Sequence, residues 1–394
     1  MAAPARALIV CPESPYPLRG GGAFRTASLV EYLGRNYALD AVFFSEETRP
    51  DPREALPPGL VRESLLIPLP VHSRGLAAKA VRNARRYLAD VPPLVDRFAG
   101  FSDWIARWLA GRGRYDLVMV EHLWCAPYAK TLRPLAGRLV IDLHNVESEW
   151  HRRLGALERW PVSQAHLRFA AAAGRLERRL HEEFDEMLVT SERERGLAGL
   201  ERAIVYPNTI PARAPRMEQK REQIVFSGNL EYQPNISAVK WFGAEVWPQL
   251  AVRHPGLEWV IAGRRPEAIR HALTGPAAAA TARIRLTGEA EDLGPEIARS
   301  LVAVVPIHSG SGTRIKILEA WAAGTAVVST PLGAEGLPAE ALALAEAPAG
   351  FAARVSSLID NETMRGEMER RAYALFNTRF TWEAGWKLLA LNGI

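Results

Sequence analysis

The 394-residue chain has only two cysteines, Cys11 and Cys125, far apart and each in an apolar setting. That excludes a disulfide framework and a cysteine-based zinc site, and it suits a reducing compartment. No stretch approaches the roughly 18 consecutive apolar residues of a membrane-spanning helix. The opening, MAAPARALIVCPESPYP, has an apolar run too short for a secretory signal. A soluble, cytoplasmic protein is expected. Neither an Asp-x-Asp pair nor a His/carboxylate cluster with ligand spacing occurs, so no metal is expected. The basic excess is small, net +5, and most of it lies before residue 211. No basic region is interleaved with stacking aromatics, so no nucleic-acid partner is expected. Short-period repeats and low-complexity tracts are also missing.

What the chain does have is apolar material for two cores, 48% of its residues, at a length that one core rarely serves. Short, near-continuous apolar runs alternate with helix-length segments. Ala7–Cys11, Leu39–Ser45, Leu65–Leu69, Leu117–Glu121, Leu139–Leu143, Met187–Thr190 and Ala203–Tyr206 read as strands buried on both faces. Helices are predicted over Phe24–Leu33, Leu76–Leu109 (broken at Pro92-Pro93) and Val146–Phe184. The pattern restarts with Ile224–Ser227, Trp259–Ala262, Ile284–Thr287, Val302–Ile307, Ala326–Ser329 and Leu342–Ala345. Between the sets lies YPNTIPARAPRMEQKREQ, proline-bearing and charged as linkers are. Alternating strands and helices imply parallel sheets, so the fold class is α/β, two Rossmann-like doubly wound domains facing a central cleft. The expected division is 1–207, a linker at 208–222, and 223–379, with a closing helix at 380–394 returning to the first domain.

The most informative stretch is VVPIHSGSGTRIKILEAWAAGTAVVSTPLGAEGL, Val304–Leu337. It reads as a buried strand, a small-residue turn containing Gly310, Ser311, Gly312 and Thr313, and a helix ending near Gly324. Small residues let backbone approach a ligand, and a helix N-terminus offers unpaired N–H groups to an anion. Arg314 and Lys316 fall in the first helical turn, where the helix dipole disfavours cations. An anionic ligand would justify them, Arg314 as a fork and Lys316 as a point charge. Glu319, one turn further on, is placed to accept hydrogen bonds from a ribose diol. The competing reading is an ordinary strand–turn–helix with solvated charges.

This segment resembles the donor site of the retaining, two-Rossmann (GT-B) glycosyltransferases of the family 4 type, glycosyl transferases group 1. Glu319-Ala320, Ala322-Ala323-Gly324, Val327-Val328-Ser329-Thr330 and Gly333–Leu337 carry the likeness. Ser311 stands where that family's motif usually has its first Glu. IVFSGNLEYQPN, with Gly228 and Asn229, resembles the opening strand and turn of the donor domain. Many members place an Arg directly after that Gly and a Lys six residues on, where this chain has Asn229 and Asn235. Arg314 and Lys316 are therefore expected to replace the missing cations on the donor diphosphate.

In the first half, Gly20, Gly21 and Gly22 separate the first strand from the first helix, the place of the family's glycine-rich phosphate loop. VIDLHNVESEW ends a strand in polar residues, and His144 matches the family's His that touches the transferred sugar and scissile phosphate. Asp142 reads equally as an orienter of that imidazole or as a cap for the next helix. EHLW, Glu121–Trp124, ends the preceding strand in the same way and is a candidate, Glu121 above all, for the acceptor pocket.

The resemblance implies sugar transfer with retention from a nucleotide-diphosphate sugar, with no cofactor. A UDP-sugar is expected ahead of a GDP- or TDP-sugar. The acceptor is a hydroxyl on a saccharide, a lipid-linked sugar or a small molecule. An epimerase of similar fold and a non-catalytic nucleotide-sugar-binding subunit are the rivals; a dinucleotide oxidoreductase lacks its spaced glycines. Finally, HSRGLAAKAVRNARRYLAD, residues 72–90, carries five cations against one carboxylate. It reads as a basic amphipathic helix for peripheral docking on an anionic membrane, or as a solvated helix face.

Overall fold

The computed structural model describes residues 4–18, 21–47, 49–73, 75–197, 199–214, 218–270, 283–288, 292–310 and 315–394. The chain divides into two compact units, Met1–Pro207 with Leu388–Ile394, and Asn208–Lys387. The first holds a seven-stranded sheet, β1 (Arg6–Cys11), β2 (Ala38–Glu46), β3 (Glu63–Leu69), β4 (Tyr115–Glu121), β5 (Ala136–Asp142), β6 (Glu186–Val189) and β7 (Ile204–Val205). Its order is β3-β2-β1-β4-β5-β6-β7, and every pairing is parallel. The second unit holds β8 (Gln223–Ser227), β9 (Glu258–Ala262), β10 (Ile284–Leu286), β11 (Val302–Val305), β12 (Ala326–Ser329) and β13 (Ala343–Leu344). These form a parallel sheet ordered β10-β9-β8-β11-β12-β13. Each apolar run named above became a strand, because helices cover both faces of these sheets and reward side chains pointing either way.

In each sheet the order reverses beside the first strand, β1 in one and β8 in the other. In open α/β sheets, ligands bind outside the carboxyl ends of the strands at that place. In the first unit it is flanked by β1 and β4, and register sets Glu121 of β4 directly beside Asp142 of β5.

Helices depart from expectation in several places. The predicted 76–109 helix breaks twice, into Leu76–Ala89, Pro93–Phe98 and Ser102–Leu109. The predicted 146–184 helix is three: Glu147–Leu157, Val162–Glu177 and Leu180–Glu183. Pro161 disfavours helical backbone at the residue before it, and the first of the three has ended by then. The predicted linker belongs to the second unit: Lys220 Nζ donates to the carbonyls of Ser300 and Gly324 and pairs with Glu369. Of the closing helix, Trp382–Leu391, only the end joins the first unit, where Tyr32 Oη donates to Ile394 O and Arg138 to Asn392 O. Phe380 stays in the second unit against Trp321.

Candidate active site

In the first unit, the carboxyl ends of β4 and β5 meet the first-turn side of the Gly21–Asn36 helix. Arg25 of that helix is 1% exposed, yet charged. Its guanidinium forks onto Asp142, with Nε 2.8 Å from Oδ2, and Nη1 donates to the Tyr206 carbonyl at 2.6 Å. Tyr206 also offers its ring face to the same guanidinium. Thr26 donates to Glu121 at 2.8 Å. Both carboxylates are fully buried. They therefore face protein groups, and neither is presented directly to solvent.

His144 is the group they hold. Its Nε2 lies 3.2 Å from Asp142 Oδ2 and 3.6 Å from Glu121 Oε1, near enough for ion pairing though aligned for a hydrogen bond with neither. Burial disfavours the imidazolium, but the two carboxylates outweigh it and raise His144 to about 9. Asp142 is held well below the usual carboxylate range: burial raises it, and Arg25 and His144 more than reverse that. Asp142 does not cap the next helix, whose cap position is Val146 with no side-chain cap; it lies beside the imidazole instead.

His144, Glu121 and Asp142 also lie close enough to share a metal ion. Arg25, however, occupies both oxygens of Asp142.

The charged His144 links stability to pH. Its folded pKa lies above the ordinary 6.5, so its contribution is complete below pH 6.5 and is lost as pH rises through about 9. Urea unfolding of the first unit's transition is expected to show a loss on the order of 2 kcal/mol between pH 6.5 and 9.5. His144→Gln should flatten that slope. A wild-type stability that rises over this interval would contradict a charged His144.

Around this core, Trp124 donates from Nε1 to Glu147 at 3.2 Å, and burial pushes Glu147 up to about 7. His122, just past β4, stacks between Trp124 and His144. Sequence reasoning did not single out Arg25, and it touched His122 only as part of the EHLW segment. Of the glycine loop, Gly20 lies outside the described residues. Gly21 and Gly22 open the helix itself, and space is free around Gly22 where a Cβ would project.

In the second unit the site forms at the ends of β8 and β11. Gly228 follows β8 with φ +147°, and a Cβ there would come within 3.0 Å of Lys316 Nζ and 2.9 Å of Asn235 Nδ2. Gly263, at φ +150°, has no room for a Cβ at all, since it would sit on the Gly228 carbonyl. Asn235 donates to the Asn229 carbonyl at 2.7 Å, and Asn229 Oδ1 accepts from the backbone of Glu231. Lys316, second residue of the Ile315–Ala322 helix, donates to Asn235 Oδ1 at 2.8 Å and stands 4.0 Å over the Phe226 ring. The structure thus brings Gly228, Asn229, Asn235 and Lys316 to one spot. Gly310 is left-handed at φ +94°. Ser311, Gly312, Thr313 and Arg314 lie outside the described residues.

Glu319, one turn beyond Lys316, is half-buried and without a hydrogen-bond partner among the described residues. Burial raises it to about 7, against the pull of Arg213 and Lys316. Among the described residues, then, nothing uses the accepting capacity of this carboxylate.

With this geometry in hand, the chain can be compared with known proteins. Residues 221–361 match the family described as Glycosyl transferases group 1. The "Uncharacterized 44.6 kDa protein in cps region" of Klebsiella pneumoniae is 22% identical over 231 residues, 57% of this chain and 59% of that one. Among solved structures, an alpha,alpha-trehalose-phosphate synthase (UDP-forming) from Burkholderia xenovorans, in complex with glucose-6-phosphate, superposes with a TM-score of 0.65 at 14% identity. That match covers 99% of each chain. Anabaena Alr3699/HepE in complex with UDP and glucose gives 0.64 at 15%, covering 98% of this chain and 99% of that. The second unit thus carries a Glycosyl transferases group 1 domain, and the chain has the GT-B glycosyltransferase fold.

Proposed function

We propose that the protein transfers a glycosyl group from a nucleotide-diphosphate sugar, UDP-linked in preference to GDP- or TDP-linked, to an acceptor hydroxyl with retention of configuration. The observation that carries this reading is the Lys316 ammonium beside Gly228 and Asn235, next to Glu319, whose side chain has no hydrogen-bond partner among the described residues. Those groups suit a nucleoside diphosphate: cation and small-residue turn for the phosphates, carboxylate for the ribose diol. His144 is the residue proposed to contact the transferred sugar. The neighbours described above, crystallised with UDP and glucose or with glucose-6-phosphate, support a sugar nucleotide and a saccharide acceptor.

In the step itself, the bond from the anomeric carbon to the phosphate oxygen breaks as the acceptor oxygen bonds to that carbon. The hydroxyl proton passes to the departing diphosphate. Neither Ser311 nor Glu319 is cast as nucleophile, so the reaction proceeds on the front face. The work of the residues is to stabilise charge on the leaving group, through Lys316, Arg314 and helix N–H groups, without a metal. A thermal-shift panel of UDP-, GDP- and TDP-sugars tests the donor, with a shift of several degrees expected for UDP. Glu319→Ala should weaken nucleoside diphosphate binding roughly tenfold, the value of a hydrogen bond to a charged group. Unchanged binding in that variant would remove the ribose role.

A peripheral membrane contact is a second proposal, supported by the Leu76–Ala89 helix. Leu76, Val81 and Leu88 are exposed on it alongside Lys79 and Arg85; Arg82 is half-buried, Arg86 is buried against Asp96, and Arg74 lies outside the described residues. No helix among the described residues is long and apolar enough to cross a membrane. Docking should therefore be electrostatic, with co-sedimentation on anionic vesicles at low salt and release at high salt. Protein remaining in the supernatant at low salt would end this proposal.

A further inference from the structure

His122 is held in a way that packing alone does not explain. It directly follows β4, and its backbone is left-handed at φ +62°. Among described residues only Asp90 and Arg265 share that state without being glycine. Asp90 closes the Leu76–Ala89 helix, where a left-handed residue is ordinary. His122 closes nothing; it opens a single helical turn, His122–Cys125. Left-handed backbone costs a residue with a Cβ about 1–2 kcal/mol, and such strain gathers at functional sites.

What that backbone achieves is a stack of rings. Phe98 lies on Trp124 at 5.7 Å between centroids, Trp124 on His122 at 4.1 Å, and His122 on His144 at 3.8 Å. Trp124 is fixed in turn by its bond to Glu147. Yet His122 is only half-buried, and neither ring nitrogen has a hydrogen-bond partner among the described residues. Burial and the neighbouring His144 keep its pKa well below the ordinary value, so it is neutral and one nitrogen carries a lone pair. His144, charged and with Nε2 turned to the two carboxylates, can only donate. A donor and an acceptor therefore stand face to face at the end of the sheet. A hydroxyl is the group that satisfies both at once.

We propose that His122 is a substrate-contacting residue, the accepting half of a two-histidine clamp on a sugar hydroxyl whose oxygen receives a hydrogen bond from His144. The clamp rests on the glycosyl-transfer reading, and it adds a residue that this reading did not require. The hydroxyl belongs either to the transferred sugar or to the acceptor, and two rates separate these sources.

The experiment compares the wild type with His122→Phe, which keeps a stacking ring without nitrogens, and with His122→Asn. Asn tolerates left-handed backbone and retains an acceptor. Four quantities are read: melting temperature, UDP affinity, slow hydrolysis of the panel's tightest nucleotide sugar by water, and its transfer to a panel of monosaccharides and sugar phosphates. His122→Phe should keep UDP affinity within twofold and lose at least tenfold in turnover, with His122→Asn recovering part of the loss. Hydrolysis falling together with transfer assigns the hydroxyl to the donor sugar; transfer falling alone assigns it to the acceptor. A folded His122→Phe with both rates within twofold of the wild type overturns the clamp. So does an Asn variant no better than Phe, since relief of strain without recovery means that the nitrogen does nothing. Wild-type protein that binds UDP but turns over no donor sinks the glycosyl-transfer reading, and the clamp with it.

Discussion

Arg25→Met is expected to destabilise the first unit by about 3–5 kcal/mol, the cost of stranding a buried charge by removing its partner. Arg25 and Asp142 are 1% and 0% exposed in their side chains, so solvent screens neither. The variant leaves Asp142 facing His144 alone and deprives the Tyr206 carbonyl of its donor. It also removes the cation from the Tyr206 ring. Asp142→Asn should be costly by itself, because Arg25 then becomes the stranded charge. The double variant should cost clearly less than the sum of the two, the mark of a coupled pair. Denaturant unfolding of all four proteins gives the cycle. Additive losses would mean that the two groups act independently and that the buried pair is not the support of His144.

The second large effect concerns the donor. Lys316→Glu should weaken UDP binding by about 3 kcal/mol, roughly a hundredfold, since it replaces a charge-assisted hydrogen bond with repulsion. Lys316 is half-exposed and its helix is short, so the fold should survive. More telling is a relocation. Lys316 Nζ and Asn235 Oδ1 are 2.8 Å apart, so a cation placed at 235 falls near the same point. Lys316→Ala should lose most of the affinity, and adding Asn235→Lys should restore a substantial part. Isothermal titration with UDP reads all of these. A Lys316→Ala protein that binds UDP as the wild type does would show that this ammonium does not face the diphosphate.

That relocation also shows how far the sequence could be read. Asn229 and Asn235 were conspicuous as missing cations, and Arg314 and Lys316 as unexpected ones in a first helical turn. The meeting of Lys316 and Asn235 across 81 positions follows from β8 and β11 lying side by side, which the alternation of strands and helices implied without giving distances. His144 was visible because it ends a buried strand in a polar cluster. Arg25 was not: it sits in an ordinary amphipathic helix, and nothing local pairs it with a carboxylate 117 residues away. His122 fell within EHLW, a segment legible as acceptor-pocket lining, but its left-handed backbone carries no signature in a non-glycine residue. Strands were the most legible elements because burial on both faces writes itself as unbroken apolar runs. Helix ends were less so, and the break before Val162 was hidden by apolar residues on both sides of it.

The central claim is metal-independent glycosyl transfer from a nucleotide sugar, and release of nucleoside diphosphate from UDP-sugars in the presence of excess EDTA tests it most directly. Wild-type protein is expected to release UDP at the same rate with EDTA as with added Mg²⁺ or Mn²⁺, and His144→Ala is expected to lose at least a hundredfold. Turnover abolished by the chelator and restored by a divalent cation would contradict the account, because Lys316 and its neighbours would then not suffice to neutralise the leaving group.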